Sequence, residues 1–180
     1  MNSYALIDSD DHIAEVISAL DGHDEVGLDA ERASGFKYGQ DAYLVQLIVD
    51  QKAFLVDPIG LSQASVNELA SQLNSKEWIL HSATQDLPCL SALGMYPKTL
   101  FDTEVAAKLL GFEKFGLAAI IQEIEGVELK KEHSAADWSV RPLTEEMLEY
   151  AALDVYFLFS LKSELWKRLD YLGRTQFAKE

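Results

Sequence analysis

Residues 27–50, GLDAERASGFKYGQDAYLVQLIVD, resemble two strands of a buried sheet, yet the first strand carries two carboxylates. Successive side chains of a strand point to opposite faces, so Asp29 and Glu31 project to the same side. Like charges at that spacing repel, and burying either one without a partner is costly. The pair is therefore either a solvated strand end with salt bridges, which is the commoner case for charged residues, or a site that holds a cation.

Apolar periodicity along the rest of the chain predicts alternating strands and helices. Short apolar runs predict strands at residues 3–8, 25–31, 42–50, 52–58, 77–82 and 99–103. Helical spacing predicts helices at residues 10–20, 62–73, 86–93, 104–110 and 116–124, and one long helix at 144–169. Asp50 and Gln51 form the tight turn of a hairpin. Strands followed by crossover helices, together with one hairpin, predict an α/β domain with a mixed sheet.

Composition limits the kind of protein this is. A chain of 180 residues with 48% hydrophobic content fits one domain with a full core. The sequence has no apolar run of about 18 residues and no signal-peptide pattern, so we expect a cytoplasmic protein without a membrane span. A single cysteine, Cys89, fits a reducing compartment and offers no zinc site. The formal net charge of −15 argues against a non-catalytic nucleic-acid binder, unless several carboxylates are metal ligands.

Two further acidic positions stand out. Asp86 follows a buried strand, where ligands collect in α/β sheets, but an aspartate at that point is equally typical of a helix N-cap. Tyr150 and Asp154 are four residues apart, so they share one face of the last helix. That face also carries the apolar residues Met147, Leu158 and Leu161. An aspartate on an inward face needs a compensating partner, and a metal between Asp154 and the first two carboxylates would supply one.

In chain order, Asp29-x-Glu31, Asp86 and Tyr150-x-x-x-Asp154 resemble the motifs of the DEDD superfamily of 3′-to-5′ exonucleases, tyrosine branch. The other branch has a histidine where this chain has Glu149. More specific strings resemble the ribonuclease D family and extend the likeness from about residue 3 to about residue 168: LVQL (44–47), HSATQDLPCL (81–90), LFDTEVAAKLLG (100–111) and DWSVRPLTEEMLEYAALDV (137–155). The resemblance implies a ribonuclease-H-like α/β fold, in which a mixed sheet of five or six strands is flanked by helices.

The same resemblance implies the roles of the site residues. Asp29, Glu31 and Asp154 would ligate two divalent ions, and Asp86 would contribute to the second ion directly or through water. Oxygen ligands suit Mg²⁺ or Mn²⁺. The ions would activate a water molecule and stabilise the leaving 3′ oxygen. Tyr150 would orient that water rather than act as a full base.

The implied function is a metal-dependent 3′-to-5′ exoribonuclease of the tRNA 3′-end processing type, which binds single-stranded RNA 3′ ends and releases 5′-monophosphates. A DNA 3′-to-5′ exonuclease of the same branch and a non-catalytic relative remain alternatives. The usual Asp-Thr-Glu of the family is Asp29-Ala30-Glu31 here, which removes no ligand. Ribonuclease D proteins generally continue into helical domains that help to hold RNA. We expect residues 1–180 to be a single catalytic domain, either an excised core or a naturally short relative, and its acidic net charge predicts weak intrinsic affinity for RNA.

Three residues are candidate substrate contacts, each with a structural alternative. Gln46 either hydrogen-bonds near the scissile end or satisfies the backbone. Trp138 and Arg141 either stack on a base and contact phosphate, or form a clamp in which the indole packs and the guanidinium pairs with an acid. His81 either lies near the site or is a hydrogen-bonded core residue, which is the commoner case for a strand histidine. We expect Asp102 or Thr103 to cap a helix. The basic residues Lys130, Lys131 and His133 are typical of a solvated loop.

Overall fold

The computed structural model of the protein describes residues 4–33, 36, 39, 41–129 and 136–178, so Lys130, Lys131 and His133 lie outside the described residues. The strands are β1 Tyr4–Ile7, β2 Glu25–Arg32, β3 Ala42–Val49, β4 Lys52–Val56, β5 Glu77–Leu80 and β6 Thr99–Asp102. The helices are α1 Ile13–Leu20, α2 Gln63–Leu73, α3 Leu87–Ala92, α4 Thr103–Leu110, α5 Leu117–Glu125, α6 Glu145–Tyr156 and α7 Leu158–Tyr171. Within these described ranges, no helix is long and apolar enough to cross a bilayer.

Six strands form one mixed sheet in the order β1-β4-β3-β2-β5-β6. Strand β3 runs antiparallel to both of its neighbours, β2 and β4. The other three pairs, β1 with β4, β5 with β2, and β6 with β5, are parallel. Asp50 and Gln51 both have positive φ, 46° and 65°, as a two-residue hairpin turn of this kind requires. The structure thus confirms the predicted mixed sheet and its hairpin, with six strands.

Helices cover both faces of the sheet and enclose a core on each. The first core lies under α1, α2 and α3, and the second under α4, α5, α6 and α7. Strand alternation sends Val26, Leu28 and Ala30 of β2 into the first core. The residues between them, including Asp29, therefore face the second layer, where α6 packs across β2, β3 and β4. This alternation decides that the carboxylates of β2 lie under α6.

The predicted single helix over residues 144–169 is wrong, because α6 and α7 are separate helices that meet at Phe157. Phe157 has φ −92° and ψ −3°, which interrupts the helix. A straight helix of that length would measure about 39 Å, whereas six strands are only about 24 Å wide. Adjacent strands also twist relative to one another. The break lets α6 follow β2, β3 and β4 while α7 packs on β5 and α4.

Gly27 lets the start of α7 lie directly on β2. A Cβ atom at this position would be 2.5 Å from Cγ2 of Ile48 and 3.1 Å from Cδ1 of Leu158. Both neighbours are buried, at 1% exposure each. A side chain at residue 27 would therefore push the junction of α6 and α7 away from the sheet, two residues from Asp29.

We expect Gly27→Ala to lower the free energy of unfolding by about 1–3 kcal/mol, because added volume in a packed core forces its neighbours to move. Urea denaturation followed by circular dichroism measures this loss. Ile48→Ala in the Gly27→Ala background serves as the control, since it removes the nearest clash and should cost less there than in the parent protein. Equal costs of Ile48→Ala in the two backgrounds would contradict the close approach.

Candidate active site

Three carboxylates from two different elements converge above the sheet. One oxygen atom from each of Asp29, Glu31 and Asp154 lies within 4.8 Å of the other two. The first two residues stand on β2 and the third on α6, which crosses that strand. The three line a cavity of about 570 Å³ together with Asp86 and Tyr150. The structure therefore brings together all five residues of the predicted motif.

Asp86 belongs to this group and does not act as a helix cap. It stands at the N-cap position of α3, but its side chain makes no capping hydrogen bond. Its carboxyl group instead shares a hydrogen bond with that of Asp29, and the residue is buried. Of the two interpretations that the sequence left open, the structure favours the site.

Asp102 anchors the turn that leads to Asp86. Its carboxylate accepts hydrogen bonds from the backbone N–H groups of Ser82 and Ala83, at 3.1 and 2.8 Å, and from Glu104 and Val105 at the start of α4. The predicted cap is thus confirmed, and the same residue also ties the end of β5 to α4. Ser82 adopts a left-handed conformation, φ 60°, which these hydrogen bonds hold in place.

His81 lines the same cavity, and its Nδ1 lies 2.9 Å from the Thr103 hydroxyl. The predicted hydrogen bond is present, but the half-buried ring lies near the site rather than in the core. Burial lowers the pKa of its imidazole, so the ring favours its neutral form.

Tyr150 faces the carboxylates from one turn before Asp154 on α6. Its phenol hydrogen-bonds to the Asp154 carboxyl group, and burial together with the nearby carboxylates raises the pKa of Tyr150. The phenol therefore stays protonated at neutral pH and can donate a hydrogen bond, but it cannot serve as a base. On its other side, the ring packs against Trp138 with a centroid separation of 6.4 Å.

Burial and mutual repulsion strongly favour protonation of the acidic cluster. Burial, followed by repulsion from Asp29, raises the pKa of Glu31 to about 9 and those of Asp86 and Asp154 to about 8. Burial raises the pKa of Asp29 to about 6. The four carboxyl groups resist ionisation together, so cations bound among them would strongly stabilise their ionised forms.

Gln46 supports this cluster from the neighbouring strand. Its backbone pairs with that of Asp29 in the β2–β3 ladder, and its side chain is completely buried. The amide Nε2 donates a hydrogen bond to Oε1 of Glu31 at 3.3 Å. The structure thus places Gln46 behind a candidate metal ligand, where it orients that carboxylate rather than contacting a substrate.

Arg141 matches the clamp interpretation. Its guanidinium donates to both carboxylate oxygens of Asp57 and to the backbone carbonyls of Tyr43, Trp138 and Val140. These contacts engage all five N–H groups of the side chain, so none remains for a phosphate. The clamp joins β3, the residue that follows β4, and the loop before α6. Its role is to fix the loop that leads to Tyr150.

Trp138 also has a structural place. The indole is 1% exposed and lies in the second core, where it supports the ring of Tyr150. A side chain this buried cannot stack on a base without moving out of the core. The structure therefore places both Trp138 and Arg141 behind the site.

The sequence did not single out Arg32, which also lines the cavity. Its guanidinium Nη2 lies 3.9 Å from Oδ1 of Asp86. Regular strand alternation would place the residue after Glu31 on the opposite face, but the β2–β3 register shifts between Glu31 and Arg32. Such irregularities change where side chains point, and no feature of the sequence marks this one.

Comparison with known proteins shows extensive similarity. A family model described as a 3′-5′ exonuclease matches residues 4–170. Ribonuclease D of Escherichia coli strain K12 is 33% identical over 173 residues, which are 95% of this chain and 46% of that protein. Its crystal structure, described as that of an exoribonuclease involved in structured RNA processing, gives a TM-score of 0.83 at 31% identity, covering 95% of this chain and 46% of that one.

A crystal structure of a protein from Bifidobacterium adolescentis has a TM-score of 0.90 at 39% identity and covers 99% of this chain and 46% of that chain. The likenesses confirm the predicted ribonuclease-H-like α/β fold and the resemblance to ribonuclease D. The chain spans about half the length of the curated relatives it matches.

The raised pKa values of the cluster predict how stability depends on pH. The carboxyl groups have ordinary pKa values of 3.8 and 4.5, and the highest folded-state value is about 9, at Glu31. The folded state therefore binds more protons than the unfolded state between about pH 4 and 9, and the metal-free protein should lose stability as pH rises through this window.

Mn²⁺ binds the ionised carboxylates, so it should raise the melting temperature of EDTA-treated protein more at about pH 8.5 than at about pH 6. At a hundred times its dissociation constant, the ion would add about 2.7 kcal/mol. Calorimetry at both pH values measures the effect. Glu31→Gln is the control, and it should reduce both dependences because it removes one of the four groups with raised pKa values. A melting temperature that Mn²⁺ does not change at about pH 8.5 would contradict a metal site.

The clamp predicts a strong coupling between Arg141 and Asp57. Arg141→Met should lower the free energy of unfolding by about 3–5 kcal/mol, since it leaves a buried carboxylate without its partner. Asp57→Asn should lower the free energy of unfolding much less in the Arg141→Met background than in the parent protein. A double-mutant cycle followed by denaturation measures this difference. If Arg141→Met unfolds like the parent, the guanidinium is not a structural clamp.

Proposed function

Because the chain belongs to the 3′-5′ exonuclease family, we propose that it hydrolyses the terminal phosphodiester of RNA and removes nucleotides from the 3′ end. The observation that carries this proposal is the convergence of Asp29, Glu31 and Asp154 in one cavity with Asp86 and Tyr150. No single element of the fold supplies this group. Strand β2, the turn after β5 and helix α6 each contribute a part.

The choice of RNA is supported by the relatives. Curated relatives that are 33% and 36% identical to this chain are named ribonuclease D, and the Escherichia coli enzyme is described as an exoribonuclease. The finer proposal is an enzyme of the tRNA 3′-end processing type that acts on single-stranded 3′ ends and releases 5′-monophosphates. We propose residues 1–180 as one catalytic domain, and the cytoplasm as its compartment, in keeping with one buried and unpaired cysteine, Cys89.

The donor set fits divalent metal ions. Three carboxylates offer oxygen atoms within 4.8 Å of one another, with no sulfur or imidazole ligand among them. Hard oxygen ligands of this kind suit Mg²⁺ or Mn²⁺. We propose that Asp29, Glu31 and Asp154 hold two such ions, with Asp86 contributing to the second. When bound, the ions would lower the pKa of the attacking water and stabilise charge on the leaving 3′ oxygen.

The side chains around the proposed metal ions hold the ligand carboxylates and orient the attacking water. Gln46 fixes the Glu31 carboxylate through its hydrogen bond of 3.3 Å. Tyr150 presents a protonated phenol beside Asp154, where it can position a water molecule for attack on the phosphate. Trp138 packs behind that ring and keeps it directed into the cavity. These contacts keep the site in one geometry before substrate arrives.

The test is degradation of 5′-labelled single-stranded RNA and of DNA with the same sequence, in Mn²⁺ and in EDTA. We expect stepwise shortening of the RNA from its 3′ end in Mn²⁺ only. Asp154→Asn, which removes a ligand, should abolish it. Tyr150→Phe should slow it about a hundredfold with unchanged Mn²⁺ affinity by calorimetry, because the phenol orients water and holds no ion.

The outcomes separate the alternatives. Faster shortening of DNA than of RNA would replace the proposal with a DNA exonuclease. RNA binding without shortening of either polymer would indicate a non-catalytic relative. Shortening by Asp154→Asn at the parent rate would show that the carboxylate cluster is not the active site.

A further inference from the structure

Arg32 differs from the other arginine near the site. Arg141 has all five N–H groups engaged by protein acceptors. The Arg32 guanidinium, in contrast, makes no side-chain hydrogen bond among the described residues, and the nearest carboxylate oxygen, on Asp86, is 3.9 Å away. Its side chain is 25% exposed and lines the cavity of the acidic cluster. Its donors are therefore available to a ligand.

The backbone at Arg32 is held by the rest of the site. Glu31 pairs with Leu44 and Arg32 with Ala42, so Tyr43 is an extra residue on β3 at this point. The Tyr43 carbonyl accepts a hydrogen bond from Arg141 at 2.7 Å. The clamp thus fixes the irregular end of the β2–β3 ladder, from which Arg32 reaches the cavity.

Charge makes this position unusual. Of the cavity-lining residues within the described part of the chain, Arg32 is the only lysine or arginine, against five acidic residues: Asp29, Glu31, Asp86, Glu104 and Asp154. A polyanion that enters such a cavity is repelled by the carboxylates. Divalent ions held by Asp29 and Asp86 would compete with the guanidinium for these acids and leave it free to bind another anion.

We propose that Arg32 binds a backbone phosphate of the RNA 3′ segment beside the metal site. This inference rests on the proposed function and names a residue that grips the substrate. A guanidinium fork matches two phosphate oxygens, so one arginine with free donors is enough for a specific contact. The contact would compensate in part for the net charge of −15, which otherwise disfavours RNA.

The experiment compares Arg32→Gln with the parent in two measurements. Fluorescence anisotropy in an Asp154→Asn background gives the dissociation constant of a single-stranded oligoribonucleotide without cleavage. Steady-state kinetics with Mn²⁺ give KM and kcat. We expect Arg32→Gln to raise the dissociation constant and KM about tenfold, as for one lost charge-assisted contact, with kcat changed less than about threefold.

Salt dependence separates a phosphate contact from a structural role. Loss of one phosphate contact should make the slope of log affinity against log salt concentration shallower by about 0.7 for a single strand. Arg32→Lys, which keeps the charge, should keep most of the slope. Lys98→Gln is the matched control: it removes one exposed cation before β6, at the opposite end of the parallel strands from Asp86, and should change nothing.

Neutral linkages test the contact directly. Three oligoribonucleotides are compared. Each carries an uncharged methylphosphonate at a different one of the second, third and fourth linkages from the 3′ end. We expect Arg32→Gln and one of these replacements to weaken binding by much less than the sum of their separate effects. Additive effects for all three linkages would overturn the proposal.

Two further results have distinct meanings. An unchanged salt slope together with altered Mn²⁺ affinity would show that Arg32 acts only on Asp86, and would overturn the phosphate contact. Failure of the parent protein itself to bind and shorten RNA would overturn the proposed function, and this inference with it. A parent that shortens RNA, with Arg32→Gln behaving identically, would overturn this inference alone.

Discussion

Mutual repulsion among partly buried carboxylates is the constraint on which the site depends. Asp29 faces Glu31, Asp86 and Asp154, and burial raises the pKa of each of these four groups. A fold gains no stability from such an arrangement by itself, since each ionised group loses water without gaining an opposite charge. The arrangement becomes favourable when cations enter it. The same feature that weakens the metal-free fold would therefore favour the binding of divalent ions that we propose.

The surrounding structure is organised to tolerate this strain. Gly27 allows the break between α6 and α7 to lie against β2. Asp102 holds the left-handed turn before Asp86, and Arg141 holds the loop before Tyr150. Gln46 directs Glu31 from the adjacent strand. These residues stand on regular elements or hold several hydrogen bonds, so the carboxylates cannot move apart without breaking these contacts.

The two arginines near the site, Arg141 and Arg32, have different roles. The N–H donors of Arg141 are all engaged by a carboxylate and three carbonyls, so its positive charge stabilises the fold. Arg32 has one distant carboxylate in a cavity of acids. A sequence motif does not distinguish one arginine from another. The number of N–H donors that protein acceptors engage distinguishes a structural arginine from one that can bind a ligand.

Strand alternation and helical spacing are local rules, so the sequence alone predicted the strands, the hairpin and the shared faces of Asp29 with Glu31 and of Tyr150 with Asp154. The grouping of these residues with Asp86 as one site came from the resemblance to a known family. Tertiary structure decided what those rules cannot reach. The predicted long helix breaks at Phe157, and its two parts pack on different strands. Partners distant in sequence make Arg141 a clamp, and an extra residue on β3 accompanies the turn of Arg32 toward Asp86. These outcomes depend on which segments meet in space, and periodicity along one chain carries no information about that.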